Sequence, residues 1–169
     1  MTKFLLTLHV LAAILAVGPV AVAASMFPPA LRRAQADPQD TAAVASLRLL
    51  QRICSVYAFV GIAVPITGLV TAGSLHVLGS PWLIASITLT MAAAAVLIVL
   101  VLPRQEAALE AVTGESGDGT RGEPAEGAGV VTVGARAGFQ LAMYTGVFNL
   151  LWAAVTVLMI IRPGSTTGA

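Results

Sequence analysis

The sequence is short of charge and of cysteine, and each shortage removes a class of protein. Only 10% of its 169 residues are Asp, Glu, Lys or Arg, against roughly 25% in an ordinary soluble domain. A formal charge of +1 provides no basic footprint, so nucleic acid is not an expected partner. A single cysteine, Cys54, rules out an internal disulfide and any Cys-x-x-Cys arrangement. Two histidines, His9 and His76, are too few and too far apart for His-Glu-x-x-His. No glycine-rich phosphate loop occurs between a strand and a helix, and the "GESGDG" of residues 114–119 fits neither a serine elbow nor a calcium loop.

Apolar side chains are abundant, at 57% of the chain and a mean hydropathy of +0.91. They collect in four runs, about residues 4–27, 53–75, 82–102 and 139–161, none of which contains Asp, Glu, Lys or Arg. Each can cross a hydrocarbon core of about 30 Å, which takes about 20 helical residues. Backbone amides in lipid must be paired within the segment, so the runs predict four helices. The expected fold class is all-α: a polytopic membrane protein built as a single four-transmembrane-helix bundle over residues 1–169.

Residues 1–24 also have the form of a secretory signal, with Lys3, an apolar stretch, Gly18-Pro19 and Ala21-Val22-Ala23. The apolar run continues to Phe27, beyond a usual signal core of about 7 to 15 residues, so retention as the first span is the better reading. Seven of the nine basic residues, Arg32, Arg33, Arg48, Arg52, Arg104, Arg121 and Arg136, fall in the two long connections. By the positive-inside rule both connections are cytoplasmic and both termini lie outside. In the first, Asp40 or Thr41 can cap a helix leading into the second span, with Arg48 and Arg52 either placed to meet anionic headgroups or forming a solvated juxtamembrane face of topological value only. The second starts as a helical extension, "RQEAALEAV", and turns rich in Gly and acid, which predicts a disordered linker over 114–129.

Small residues three and four apart mark where membrane helices approach. One face of the first helix carries His9, Ala12, Ala13, Ala16, Val20 and Ala23, and the second carries Ala58, Gly61, Pro65, Gly68, Ala72 and His76, with a kink expected at Pro65. The third offers Ala85, Thr88, Ala92 and Ala95, and the fourth Gly146, Asn149, Ala153, Thr156 and Met159. All four faces are expected to point inward. Trp82 is expected in an interfacial belt, Trp152 in packing, and Cys54 as an inert small hydrophobe.

An imidazole inside a membrane is a candidate functional group. His9 has three readings: a hydrogen bond to a neighbouring helix, ligation of haem or copper together with His76 or Met159, or a step in a proton path. The last lacks an intramembrane acid to receive the proton. His76, at a helix end, reads either as a cap or as the second ligand. Asn149 reads as helix-to-helix contact or a ligand contact.

The stretch "LTLHVLAAILAVGPVAVAA" resembles the opening of small bacterial four-helix membrane proteins, predicted integral membrane proteins loosely grouped with the copper-resistance-D-like superfamily. That resemblance implies a bacterial inner membrane location and haem b or copper held through His9. The sequence departs from it in having no further histidine inside the spans and no charged residue there. The expectation is therefore an integral membrane protein acting as an accessory or interaction subunit, embedded in the lipid bilayer with a membrane-protein partner or further copies of itself. The alternative is a haem- or copper-binding membrane redox or metal-handling protein. An enzyme is the less favoured class.

Overall fold

Pro28 and Pro29 do not end the first helix. In the computed structural model, which describes residues 2–37, 39–114 and 128–164, α1 (Thr2–Ala36) runs unbroken through Pro19, Pro28 and Pro29. A proline inside a helix costs about 3 kcal/mol, and packing offsets it here. Phe27, Leu31 and Ala34, one face of the last three turns, are buried in a cluster with Leu47 and Leu141 from neighbouring helices. Arg32 and Arg33 thus ride on a helix end, and the connection to the next helix shrinks from the expected long loop to residues 37–40.

Asp40 closes that turn as the cap of α2 (Thr41–Val60), its side chain accepting from the Ala42 and Ala43 amides at 2.9 and 3.1 Å. The second span continues as α3 (Ala63–Ser74) after a break at Gly61 and Ile62. The expected kink at Pro65 accounts for the break. A proline ring collides with the carbonyl four residues earlier, here that of Gly61. The local amides tighten instead onto carbonyls three residues back, Ile62 to Phe59 and Val64 to Gly61, each at 3.1 Å.

The third span is α4 (Pro81–Ala95), a π-helical stretch over Val96–Val101, and α5 (Leu102–Thr113). The widened stretch precedes Pro103, whose ring excludes regular bonding to Val99, and the Leu102 amide reaches Leu97, five residues back. The "RQEAALEAV" extension is helical, and Gly114 ends it in the left-handed region at φ 68°. Of the expected disordered linker, residues 115–127 lie outside the described residues, and Ala128 and Gly129 already belong to α6 (Ala128–Ile161).

Four helical spans are long and apolar enough to cross a membrane, Lys3–Ala36, Thr41–Ser74, Pro81–Thr113 and Gly138–Ile161. α1 packs against α2, α3, α5 and α6, and α4 against α6. Midway along the bundle Val20, Ala23, Ala24, Cys54, Ala93, Leu97, Val101 and Phe148 close the core. Large apolar side chains such as Leu11, Ile14, Leu15, Ile66, Leu69, Ile98 and Leu150 face outward, the reverse of a soluble bundle and the arrangement lipid favours.

The inward faces assigned to the first two helices hold except at His76, which is exposed: Ala16, Val20, Ala23 and Ala72 are buried, His9, Ala12, Ala13, Ala58, Gly61, Pro65 and Gly68 are half-buried, and Leu8, Leu11 and Leu15 point out. Those of the other two need correction. Ala85, Thr88, Ala92 and Ala95 are exposed, and α4 turns Trp82, Leu83, Ser86 and Ala93 inward. On α6 it is Leu141, Thr145, Phe148 and Val155 that are buried, while of the expected face Asn149 and Met159 are half-buried and Gly146, Ala153 and Thr156 are exposed. The interior where four helices meet is wide enough to take large side chains, and filling it gains more contact than bringing backbones close. Trp82, in the first turn of α4, is only 6% exposed, with the Arg162 guanidinium 5.7 Å from its ring centroid; it packs inward from the end of its span. Trp152 packs as expected, edge-on to Phe148.

His76 ends α3 through its backbone. It sits at φ 57°, its amide bonds the Gly73 carbonyl and the Val77 amide bonds the Ala72 carbonyl, each at 3.2 Å. That is the Schellman pattern, completed by apolar packing of Val77 on the cluster that contains Ala72. Glycine is the residue that adopts this conformation without steric cost. His76→Gly is therefore expected to raise stability by about 0.5 to 1 kcal/mol, read from unfolding of the purified protein. A destabilised variant would mean that the imidazole itself holds the helix end.

Candidate functional site

The polar side chains that join α1 to other spans gather on two seams. At the end of the bundle near the termini, α1 runs beside α3, and residues four apart on each helix face each other. The Thr71 hydroxyl lies 3.2 Å from the Leu5 carbonyl and 2.7 Å from the Thr67 carbonyl. One turn further in, His9 Nδ1 lies 3.2 Å from the Thr67 hydroxyl oxygen. Gly68 is what lets the imidazole approach: a Cβ there would stand 2.9 Å from His9 Cε1 and 3.4 Å from Nδ1.

Donor counting assigns the tautomer. The Thr67 hydroxyl has one hydrogen, and that hydrogen is directed at the Ala63 and Val64 carbonyls, 2.8 and 3.1 Å away. With that hydrogen on a backbone carbonyl, Thr67 accepts from His9, which assigns the ring proton to Nδ1 and leaves Nε2 its lone pair; the other tautomer would have Nδ1 accept the Thr67 hydrogen instead. In this arrangement the imidazole ties α1 to α3 while Nε2 remains able to accept or to ligate.

The other sequence-selected residues lie elsewhere. His76 is exposed in the turn after α3, eight residues beyond Gly68 and hence about 12 Å along the helix from the level of His9. Met159 packs against the cluster of Ala72, Trp82 and Leu83. His76 therefore stands apart from His9, and Met159 packs in a cluster that does not include His9. Among the described residues no three His, Cys, Asp or Glu side chains cluster.

Asn149 belongs to the second seam, between α1 and α6. Ser25 donates its hydroxyl hydrogen to the Ala21 carbonyl at 2.7 Å and therefore accepts from Asn149 Nδ2 at 3.3 Å. This fixes the amide orientation and leaves Asn149 Oδ1 buried without a partner, as is Thr145 Oγ1 one turn away. Orphaned atoms of this kind cost about 1 to 3 kcal/mol each. A third orphan was not foreseen from the sequence. Gln105 is fully buried, with Nε2 3.6 Å from Cys54 Sγ and Oε1 unpaired. Its position in a charged, helix-forming stretch gave no sign of burial.

Four apolar spans joined by these seams define a polytopic four-helix membrane protein. A family model matches residues 3–163, nearly the whole chain, and the chain belongs to that family, described as predicted integral membrane protein (DUF2269). No curated protein and no solved structure matches it.

The His9 contact is checked by a double-mutant cycle with Gly68. His9→Ala alone should cost little, about 0.6 kcal/mol. Gly68→Ala should be tolerated far better in the His9→Ala background than in the wild type, with a coupling of about 1 kcal/mol in unfolding measurements. Additive effects would mean that the ring and Gly68 are not in contact.

Proposed function

We propose that the protein is an accessory or interaction subunit of the bacterial inner membrane, and that it works by associating with a second copy of itself through the outward face of α4. The observation that carries this reading is the exposure of Ala85, Thr88, Ala92 and Ala95. Spaced three and four apart, these residues form one shallow stripe on a helix that otherwise shows Ile84, Ile87 and Met91 to the outside. Lipid-facing positions on α1 and α3 are large by contrast, among them Leu11, Ile14, Leu15, Ile66 and Leu69.

Small side chains gain little by facing lipid, and they allow a second helix to approach closely enough for extensive van der Waals contact. The Thr88 hydroxyl already bonds the Ile84 carbonyl at 3.0 Å, so it can enter a helix interface without desolvating a free polar group. A stripe with no charge is self-complementary, which suits a two-fold pair of identical faces. Glycine and alanine on the neighbouring α6, Gly146 and Ala153, are exposed as well.

Disulfide trapping in a Cys54→Ala background tests the reading. Ala92→Cys should give a covalent dimer in membranes, whereas Ile66→Cys on another face should not, and adding Ala85→Leu should suppress the Ala92→Cys dimer. A monomer throughout would contradict self-association.

A further inference from the structure

We propose that the cleft between α1 and α6 binds a single-chain phosphate-ester amphiphile bearing a free hydroxyl beside the phosphate, the lysophospholipid class. This is independent of association through α4. The cleft, of about 320 Å³, is lined by Ser25, Pro28, Arg32, Thr145, Gly146 and Asn149 and its neighbours, with no acid among the lining residues. Arg32, Pro29, Ala142 and Gly146 are exposed along it, so it opens sideways, where an amphiphile enters from the lipid.

Its inner wall has an unmet and specific requirement. Thr145 is 3% exposed, and its hydroxyl and Asn149 Oδ1 are both buried without partners. With the Asn149 amide nitrogen committed to Ser25, Oδ1 can only accept. Both atoms lie closed beneath the cleft wall, so binding includes a small opening of that wall; one ligand hydroxyl then meets both needs, donating to Asn149 Oδ1 while accepting from the Thr145 O–H, since residues four apart share a helix face. An ester oxygen has no hydrogen to give Asn149, which disfavours a diacyl lipid.

The phosphate falls to Arg32. The Ser25–Asn149 contact sets the register of the two helices. Counted from it, Arg32 lies seven residues on along α1, about 10 Å, and Thr145 four residues back along α6, about 6 Å in the same direction. The guanidinium is thus at the rim and the hydroxyl site a few ångströms deeper, the order in which a phosphate and an adjacent glycerol hydroxyl present themselves to a chain entering from the headgroup region. Arg32 also pairs with phosphate in a bidentate geometry that Lys lacks. A second cleft of similar volume on the other side of α1 contains Arg33 and Ser46, but Ser46 is already bonded to the Ala42 carbonyl at 2.8 Å. It supplies the control.

The experiment titrates the delipidated full-length protein in detergent with lysophosphatidic acid, diacyl phosphatidic acid and glycerol 3-phosphate, reading occupancy by native mass spectrometry. The lyso form should bind roughly tenfold more tightly than the diacyl form, as expected for one satisfied buried acceptor. Thr145→Val should remove that preference, Arg32→Gln should weaken the binding of both lipids about equally, and Thr145→Ser and Arg33→Gln should leave the wild-type pattern unchanged. Arg32 is exposed, so Arg32→Gln reports even if Thr145→Val fails to fold. Equal binding of the diacyl lipid, or binding unchanged in Arg32→Gln, would overturn the proposal. So would glycerol 3-phosphate binding as tightly, which would make the ligand a soluble phosphate, and so would no binding at all, which would leave a bridging water as the occupant.

Discussion

Inside a bilayer a polar group without a protein partner has no water to turn to, and that constraint organises this structure around α1. The first helix carries or receives the contacts of nearly every polar side chain that links two spans. Leu5 and His9 meet Thr71 and Thr67 on α3, and Ser25 meets Asn149 on α6. Between these seams Ala16, Val20, Ala23 and Ala24 let the other helices close on it. The second span rests chiefly on α1, with a further contact to α5, while the fourth rests on both α1 and the third span.

The same constraint explains why three prolines are tolerated in α1 and why Pro65 and Pro103 are accompanied by local changes of helical winding. Each proline leaves a carbonyl without its usual amide, and the chain answers by burying the region against a neighbour or by shifting the hydrogen-bond register. At the arginine end, Arg104 stacks 4.5 Å from the Tyr144 ring centroid while bonding the Leu100 carbonyl at 3.2 Å. At the other end Arg162 covers Trp82. Cationic heads at both ends thus rest on aromatic faces, a placement that keeps their charge near the boundary and their stems on apolar surface.

Span number and type were legible because apolar length and the absence of charge are strong signals in lipid. The face of α1 was legible too, since His9, Ala12, Ala16 and Ala23 follow a single helical repeat. The faces of α4 and α6 were not. A stripe such as Ala85, Thr88, Ala92 and Ala95 signals that some helix can come close, and carries no mark of whether that helix belongs to the same bundle. Trp82, Leu97, Leu141 and Phe148 fill the interior, and their inward direction follows from the width of the space between helices, which only the assembled fold defines. Helix ends were misplaced for a related reason: the continuation of α1 past Pro28 depends on burial of Phe27 and Leu31 against Leu47 and Leu141, contacts between residues far apart in the chain. The paired demands of Thr145 and Asn149 were equally invisible, because they arise from which hydrogen Ser25 gives to Ala21.

The central claim is that the intramembrane imidazole is a joint between helices, held by the Thr67 oxygen as acceptor. Nitrogen-15 NMR of histidine-labelled protein tests it directly. The account requires the neutral His9 ring to carry its proton on Nδ1, with a bare Nε2, and requires that balance to change in Thr67→Val. A proton on Nε2 that is indifferent to Thr67, or an Nε2 resonance shifted or broadened by a bound metal, would contradict it.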